Sequence, residues 1–265
     1  MAGTTEAGYL FTSDFMGNLK QWDIKNQKLM RNYSFHNICI VSMAVSGKDQ
    51  YLFVCDPIEI VYQFHIKTQK LVKKYDISHS ITSMDENFLI EVTNNNKYLL
   101  VTNNLGFLMQ FDIEKQQLVK NYGKIHNGNV TTITATKDSK YLFMGDEHHM
   151  LNQIGLEEKK LVKRWGTMCN DEIQALTTTS DSEKLFISDW GGCLTEASIP
   201  KKKGAHWYED EHLAGIGAMG ITKDNKYLFT ADIYGYLKQW DIILKKLVYD
   251  FGCIGCDTIQ TLAII

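Results

Sequence analysis

An internal repeat, its strand-like segments and their regular spacing predict that this 265-residue chain is all-β, a six-bladed β-propeller of four-stranded antiparallel blades. Six segments align without gaps, and they begin at Gly8, Gln50, Lys97, Lys140, Glu183 and Lys226. One alignment column is spaced by 42, 47, 43, 43 and 43 residues, and it contains Trp22, Phe64, Phe111, Ile154, Ala197 and Trp240. Chance does not produce such spacing, so the repeat determines the fold class.

Each repeat is predicted to contain four short strands. The first is rich in β-branched residues, as in Val130–Ala135 and Ile173–Thr178, and the second contains Tyr-Leu-Phe or a variant. The third ends in Gln-Trp-Asp-Ile or a variant, and the fourth resembles Lys-Leu-Val-Lys. Polar turns separate them, including one of the form Asp-x-x-Gly. Short strands at regular spacing are typical of all-β domains, and four strands in about 43 residues correspond to one propeller blade.

The repeat also predicts where the blades begin and end. The units lie at about 8–35, 36–78, 79–125, 126–168, 169–211 and 212–256 of a single domain spanning 1–265. The chain starts directly at a second strand, so the first blade is expected to lack its inner strand. Residues 257–265 resemble an isolated inner strand, so we expect them to pair with the first blade and close the ring, removing exposed sheet edges. The alternative is a fragment of a larger array.

Two kinds of residue mark the repeats. A His lies 15 residues before the Tyr of the second strand at His36, His126 and His212. The third strand ends in Trp-Asp or Phe-Asp at Trp22, Phe111 and Trp240. Over essentially the whole chain, this pattern resembles the Gly-His and Trp-Asp signature of WD-repeat proteins. The resemblance implies a propeller and leaves the function open.

The chain also departs from the WD-repeat pattern. Cys169 replaces the His of the fifth repeat, and the His of the third is displaced to His79. The Asp usual before the turn Gly is absent, but an earlier slot holds Asp14, Asp56, Asn103, Asp146, Asp189 and Asp232. We expect the family's buried His–Ser/Thr–Asp–Trp network to be incomplete. We expect the six earlier residues to cap their turns through Asx-type hydrogen bonds.

Composition excludes several classes of protein. No apolar run is long enough for a transmembrane helix, and the first residues lack the features of a signal peptide. The six Cys are therefore expected to be reduced thiols in a cytoplasmic protein. The formal net charge is −3, and only Arg31 and Arg164 among the 28 basic residues are Arg. Because base recognition relies on Arg, sequence-specific nucleic-acid binding is disfavoured.

The turns point to a partner-binding surface. Propeller topology places Lys-rich turns on one face, and the second-to-third turns, richer in acids, on the other. Several tips of the acidic face are large and apolar, where small or polar residues are usual. Such patches mark interfaces, and Trp and Tyr are frequent in binding hot spots. The candidate residues are Phe15, Met16, Ile58, Leu105, Trp190, Ile233 and Tyr234, joined by nearby Trp207. The alternative is that each tip packs on a neighbouring loop.

A channel metal is the main alternative site. Ca²⁺ prefers six to eight oxygen ligands, which the ring of Asp and Asn residues could supply. However, those residues end second strands, whereas channel-facing first strands hold Thr, Ala, Ser and Ile. We therefore expect no metal, no cofactor and no catalytic residues.

Other chemical motifs are weak. Cys253 and Cys256 form a lone Cys-x-x-Cys pair without the second pair that zinc needs. His148 and His149 lie on a turn tip, where metal ligands do not converge. The glycines of 215–220 fall in a first strand with no helix after them, so they are not a dinucleotide motif. The basic cluster 201–203 is expected to be solvated, with acidic lipid head groups, RNA or an acidic partner as alternatives.

These observations favour a non-enzymatic interaction platform that binds protein or peptide partners on one face. We expect no small-molecule ligand. A metal-dependent hydrolase or lactonase is the alternative, and a structural module of a cytoskeletal or ciliary assembly is a weaker one.

Overall fold

The computed structural model describes residues 2–3, 8–13, 17–34, 39–77, 88–201, 203–208 and 212–254. Over these ranges the chain forms six four-stranded antiparallel sheets. This confirms the predicted fold class, an all-β, six-bladed β-propeller. The chain divides into two compact units, residues 1–125 and 126–264, with three blades in each. Among the residues described, no helix has the length and apolar character needed to cross a membrane.

The first unit contains blades one to three. Blade one consists of β1 (Ala2–Gly3), β2 (Tyr9–Ser13), β3 (Asn18–Asp23) and β4 (Lys28–Ser34). Blade two consists of β5 (Ser42–Val45), β6 (Tyr51–Cys55), β7 (Ile60–His65) and β8 (Lys70–Asp76), with a 3-10 turn at Gly47–Asp49. Blade three consists of β9 (Phe88–Val92), β10 (Tyr98–Asn103), β11 (Phe107–Asp112) and β12 (Gln117–Lys124).

The second unit contains blades four to six. Blade four consists of β13 (Val130–Ala135), β14 (Tyr141–Asp146), β15 (Met150–Gly155) and β16 (Lys160–Thr167). Blade five consists of β17 (Ile173–Thr178), β18 (Lys184–Asp189), β19 (Leu194–Ser198) and β20 (Lys203–Trp207). Blade six consists of β21 (Ile216–Ile221), β22 (Tyr227–Asp232), β23 (Tyr236–Asp241) and β24 (Lys246–Cys253).

The first blade differs from the expectation. We expected it to lack an inner strand of its own, but Ala2 pairs with Phe11 and Gly3 with Leu10 to form the fourth strand of that sheet. Two small residues carry little strand propensity, so the sequence did not reveal them. The predicted closing strand, 257–265, lies outside the described residues.

The second strands are largely buried because each lies between two other strands of its sheet; the exception is β2, of which only Phe11 is buried. All six residues of β10 are buried. In the second unit, Phe143 of blade four shares one core cluster with Leu185 and Ala197 of blade five. Phe186 of blade five shares another with Leu228 and Trp240 of blade six. The repeated Tyr-Leu-Phe run is therefore the core of the blades, and it leaves the turns free to differ.

Thr-x-Asp turns join first to second strands in the second unit. In blade six the Thr222 hydroxyl donates to Asp224 at 2.6 Å and accepts the Tyr227 backbone N–H at 3.0 Å. Asp224 accepts the Lys226 backbone N–H at 3.0 Å. Side chains that replace backbone partners in this way favour turns over helices. The same turn recurs at Thr136 and Thr179, which fixes that end of all three blades.

Candidate functional site

The second-to-third turns are organised by the acidic or amide residue that ends each second strand. Asp232 Oδ1 accepts the backbone N–H groups of Tyr234 and Tyr236 at 3.0 and 2.9 Å. Equivalent bonds run to Asp56 from Ile58 and Ile60, to Asn103 from Phe107, to Asp146 from His148 and Met150, and to Asp189 from Cys193. Asp14 lies outside the described residues. These bonds hold each tip in a defined conformation.

The structure places the predicted binding residues in different environments. Ile58, Trp190 and Tyr234 are exposed at their tips, with exposed fractions of 60%, 50% and 63%. Trp207 is also exposed, on β20. Leu105 and Ile233 are only partly exposed. Phe15 and Met16 lie outside the described residues.

Two exposed tips of the second unit lie against the same loop. The Trp190 backbone N–H donates to the Glu172 carbonyl at 2.9 Å, and the Ile233 N–H donates to the Gly215 carbonyl at 3.0 Å. A Cβ on Gly215 would lie only 3.0 Å from the Trp190 carbonyl oxygen. The loop 212–215 therefore lies against both turns, one from blade five and one from blade six.

This arrangement presents an apolar surface that sequence reasoning only partly identified. We call Trp190, Leu213 and Tyr234 the aromatic surface. Leu213, which lies in the loop between the two tips, is fully exposed. Leu213 was not among the predicted residues, because it lies in the loop between β20 and β21 and not at the tip of a second-to-third turn. The sequence feature that could have predicted it is an apolar residue directly after the His of the sixth repeat, His212.

A glycine keeps the loop and the Trp190 turn in close contact. Gly192 has a φ of +89°, and a Cβ there would lie 2.3 Å from the His212 carbonyl oxygen. A larger residue would push the 212–215 loop away from the turn. The local backbone thus fixes the spacing between the Trp190 turn and the loop that carries Leu213.

Beneath this surface, blade six contains a complete buried network. His212 Nδ1 lies 2.9 Å from Asp232 Oδ2, and His212 Nε2 lies 2.7 Å from the Thr230 hydroxyl. The Trp240 indole N–H donates to the same hydroxyl at 2.8 Å. The expectation of an incomplete network is therefore wrong for blade six. Asp232, in the earlier slot, both caps the turn and reaches His212.

The environment of His212 favours its neutral form. Burial lowers the pKa of His212 below its ordinary value, and the Asp232 carboxylate offsets this only in part. A neutral imidazole that donates from Nδ1 to Asp232 can accept the Thr230 hydroxyl proton at Nε2. Thr230 Oγ then accepts from Trp240, so each polar group has a partner.

Blade four has the same His and Asp without the rest of the network. His126 Nδ1 lies 2.9 Å from Asp146 Oδ2, and both residues are buried. Burial would raise the pKa of Asp146, but the bonds from His126 and from the backbone of Met150 outweigh it and hold that pKa below its usual value. His126 Nε2 is buried, and none of the described residues offers it a hydrogen-bond partner.

A second recurring bond was missed in the sequence. A Gln on the third strand accepts from an aromatic side chain twelve residues later on the fourth. The pairs are Tyr33 to Gln21 (2.8 Å), Tyr75 to Gln63 (2.8 Å), Tyr122 to Gln110 (2.6 Å) and Trp165 to Gln153 (3.1 Å). The constant spacing was visible in the repeat alignment. The bond ties the outermost strand of blades one to four to the third strand of the same blade.

In blade five Glu196 takes the place of the Gln. Its carboxylate accepts from the Tyr208 hydroxyl at 3.0 Å and lies 3.2 Å from Lys184 Nζ and 3.1 Å from Lys245 Nζ. Lys245 belongs to blade six, so this buried carboxylate links two blades. Burial, together with the Glu196 charge, raises the pKa of the Tyr208 hydroxyl. Tyr208 also meets Trp240 edge-on, with ring centroids 5.6 Å apart.

Within the described ranges, the remaining motifs bring no reactive groups together. Burial raises the pKa of the Cys169 thiol to about 12, so it is protonated. Cys253 is exposed, and Cys256 lies outside the described residues. The 215–220 glycines lie in and beside β21, which leads through a turn into the strand β22. Across the part of the chain that the structure covers, no group of three His, Cys, Asp or Glu residues could hold a metal ion.

Comparison with protein-family models and with curated proteins gives no match for this chain. The assignment of the chain as a β-propeller therefore comes from its repeat and its sheets.

Proposed function

We propose that this β-propeller is a non-enzymatic scaffold of the WD-repeat type that binds protein or peptide partners in the cytoplasm. The observation that carries the proposal is the aromatic surface, Trp190, Leu213 and Tyr234, which is exposed on turns held by backbone hydrogen bonds. Large apolar side chains exposed on adjoining turns mark an interaction site, and Trp and Tyr are enriched among the residues that dominate binding energy at interfaces.

The rigidity of the Trp190 and Tyr234 turns supports this role. The Asp189 and Asp232 carboxylates accept backbone N–H groups within the two turns. Because these bonds lie within the turns themselves, binding would cost little loop ordering, which favours affinity. The complete network of blade six, which resembles the WD-repeat tetrad, lies directly beneath the Tyr234 turn.

The proposal is tested by affinity capture from an extract of the source organism, with bound proteins identified by mass spectrometry. The bait is the full chain, compared with a Trp190→Ala, Tyr234→Ala variant. We expect a stoichiometric partner that the variant loses, because truncating central aromatic anchors costs about 2 kcal/mol or more each.

The matched control is Tyr249→Ala, which removes an exposed Tyr from the outer strand β24 of blade six. It should capture the partner as the wild-type chain does. A partner that both variants retain would contradict the assigned surface, and absence of any partner would contradict the scaffold proposal.

A further inference from the structure

The turn from β23 to β24 carries an apolar tip at the opposite end of β23 from Tyr234. Its outermost residues, Ile243 and Leu244, have exposed fractions of 76% and 62%. The equivalent pairs in the other blades are Lys25 and Asn26, Lys67 and Thr68, Glu114 and Lys115, Glu157 and Glu158, and Pro200 and Lys201. Only blade six places two large aliphatic side chains at this position.

The tip is held rigidly. Asp241 Oδ1 accepts the backbone N–H groups of Ile243 and Leu244 at 2.9 and 2.8 Å. The Lys245 N–H donates to the Asp241 carbonyl at 2.8 Å. Blade one uses the same bond, from the Asn26 N–H to Asp23 Oδ1 at 2.9 Å. The turn therefore does not depend on the aliphatic side chains, which are left free for contact with a partner.

Four lysines surround the tip. Lys226 accepts the Ile242 N–H through its backbone carbonyl, and Lys246 directly follows the turn; both side chains are exposed. Lys184 Nζ lies 3.4 Å from the Ile242 carbonyl oxygen. Lys184 and Lys245 share the Glu196 carboxylate, which is buried, so their combined charge stays positive.

Three acids lie in the neighbouring turns. Asp224 is next to Lys226 and accepts its backbone N–H. Asp181 and Glu183 belong to the first turn of blade five, where Ser180 contacts the Lys223 carbonyl and Asn225 of blade six. Asp241 lies within the tip itself, where its buried carboxylate caps the turn. The four lysines outnumber the two buried carboxylates at the tip, Glu196 and Asp241, and the other three acids belong to the turns beside it. The immediate rim of the tip is therefore cationic.

We propose that this tip docks blade six on the surface of an anionic phospholipid bilayer. A protruding pair of aliphatic side chains needs no complementary pocket, because the boundary between head groups and acyl chains accepts them directly. Lysines at the same depth are attracted to anionic head groups. Apolar insertion and basic charge together give stable anchoring where either alone is marginal. The aromatic surface at the other end of blade six would remain free to hold a partner.

The test is sedimentation of the full chain with vesicles, either of phosphatidylcholine alone or of phosphatidylcholine mixed with phosphatidylserine. We expect binding to the mixed vesicles only, and we expect it to weaken as salt is added. The diagnostic variant is Ile243→Lys with Leu244→Asn, which gives the turn the residues of blade one. It should bind about tenfold more weakly despite its added positive charge, because the inserted side chains are lost.

A second variant and a control separate the contribution of the lysine charge from that of the inserted aliphatic side chains. Lys246→Glu should weaken binding several-fold by charge. Ile58→Asn, which removes an exposed aliphatic tip from the β6–β7 turn of blade two, should bind as the wild type does. Equal binding to both vesicle types, or unchanged binding of the diagnostic variant, would overturn the proposal. If the wild-type chain does not bind vesicles but captures a protein from a membrane-free extract, and the diagnostic variant does not capture that protein, the tip is a protein contact instead.

Discussion

Blades four and six lie in the same unit and share a topology, but they hold their inner strands in different ways. In blade six His212 bonds to Asp232 and Thr230, and Thr230 also accepts from Trp240. In blade four His126 bonds to Asp146, and its other ring nitrogen has no partner in the part of the chain that the structure describes. The blade therefore does not require the full network; apolar packing can replace half of it.

Where apolar packing replaces the network, the positions equivalent to Thr230 and Trp240 change together. Thr and Trp occur as a pair in two blades, and each pair is joined by a hydrogen bond, 3.0 Å from Trp22 to Thr12 and 2.8 Å from Trp240 to Thr230. The other four blades carry two apolar residues there: Val54 and Phe64, Val101 and Phe111, Met144 and Ile154, and Ile187 and Ala197. A buried indole N–H without an acceptor is costly, which explains why the two positions change as a unit.

Breaking the network of blade six should have the largest effect. Thr230→Val keeps the side-chain volume and leaves both the His212 ring nitrogen and the Trp240 N–H unpaired. Because each buried group left unsatisfied costs about 1–3 kcal/mol, we expect a loss of about 2–4 kcal/mol in the free energy of unfolding, measured by urea denaturation.

The control for that change is Ile187→Val, at the same position in blade five. It removes one buried methylene and should cost only about 0.5–1.5 kcal/mol. Equal losses in the two variants would show that the network contributes nothing beyond packing.

The pH dependence of stability should reveal His212. Its pKa is lowered from 6.5 in the folded protein, so the unfolded chain binds more protons below that pH. The contribution of the neutral His is complete above about pH 6.5 and is lost as the pH falls towards its folded pKa. The slope from this group is at most about 1.4 kcal/mol per pH unit.

Urea denaturation across pH 5–8, compared with a His212→Gln variant, measures this contribution. The variant should show a shallower fall of stability below pH 6.5. Parallel curves for the two proteins would contradict a neutral, buried His212.

Repairing blade four should have the smallest effect. Met144→Thr puts a hydroxyl where blade six has Thr230, within reach of the unpaired His126 nitrogen, and it also removes buried apolar volume. The matched change Ile187→Thr gains no such partner, because Cys169 replaces the His of blade five. We expect Met144→Thr to be less destabilising than Ile187→Thr by about 1 kcal/mol, the worth of one hydrogen bond. If Met144→Thr were instead the more destabilising of the two changes, the unpaired His126 nitrogen would carry no energetic cost.

The sequence was sufficient for the six blades because their core runs repeat at a fixed spacing. It also located Asp232 and its equivalents, but not their second role. That role was missed because the Asp of the network was sought next to the turn Gly, whereas Asp232 lies three residues before Gly235 and reaches His212 through space. Whether a tip is exposed depends on tertiary contacts, which is why Ile58, Trp190 and Tyr234 could not be separated from Leu105 and Ile233 in advance.

The central claim is that buried networks hold the blades while the aromatic surface binds. It is tested most directly by measuring thermal unfolding and partner capture on the same two variants. Trp190→Ala with Tyr234→Ala should lose the partner with little change in melting temperature, since both side chains are half exposed or more. Thr230→Val should melt at a lower temperature and still capture the partner below that temperature. Loss of stability and of capture together in both variants would contradict this separation.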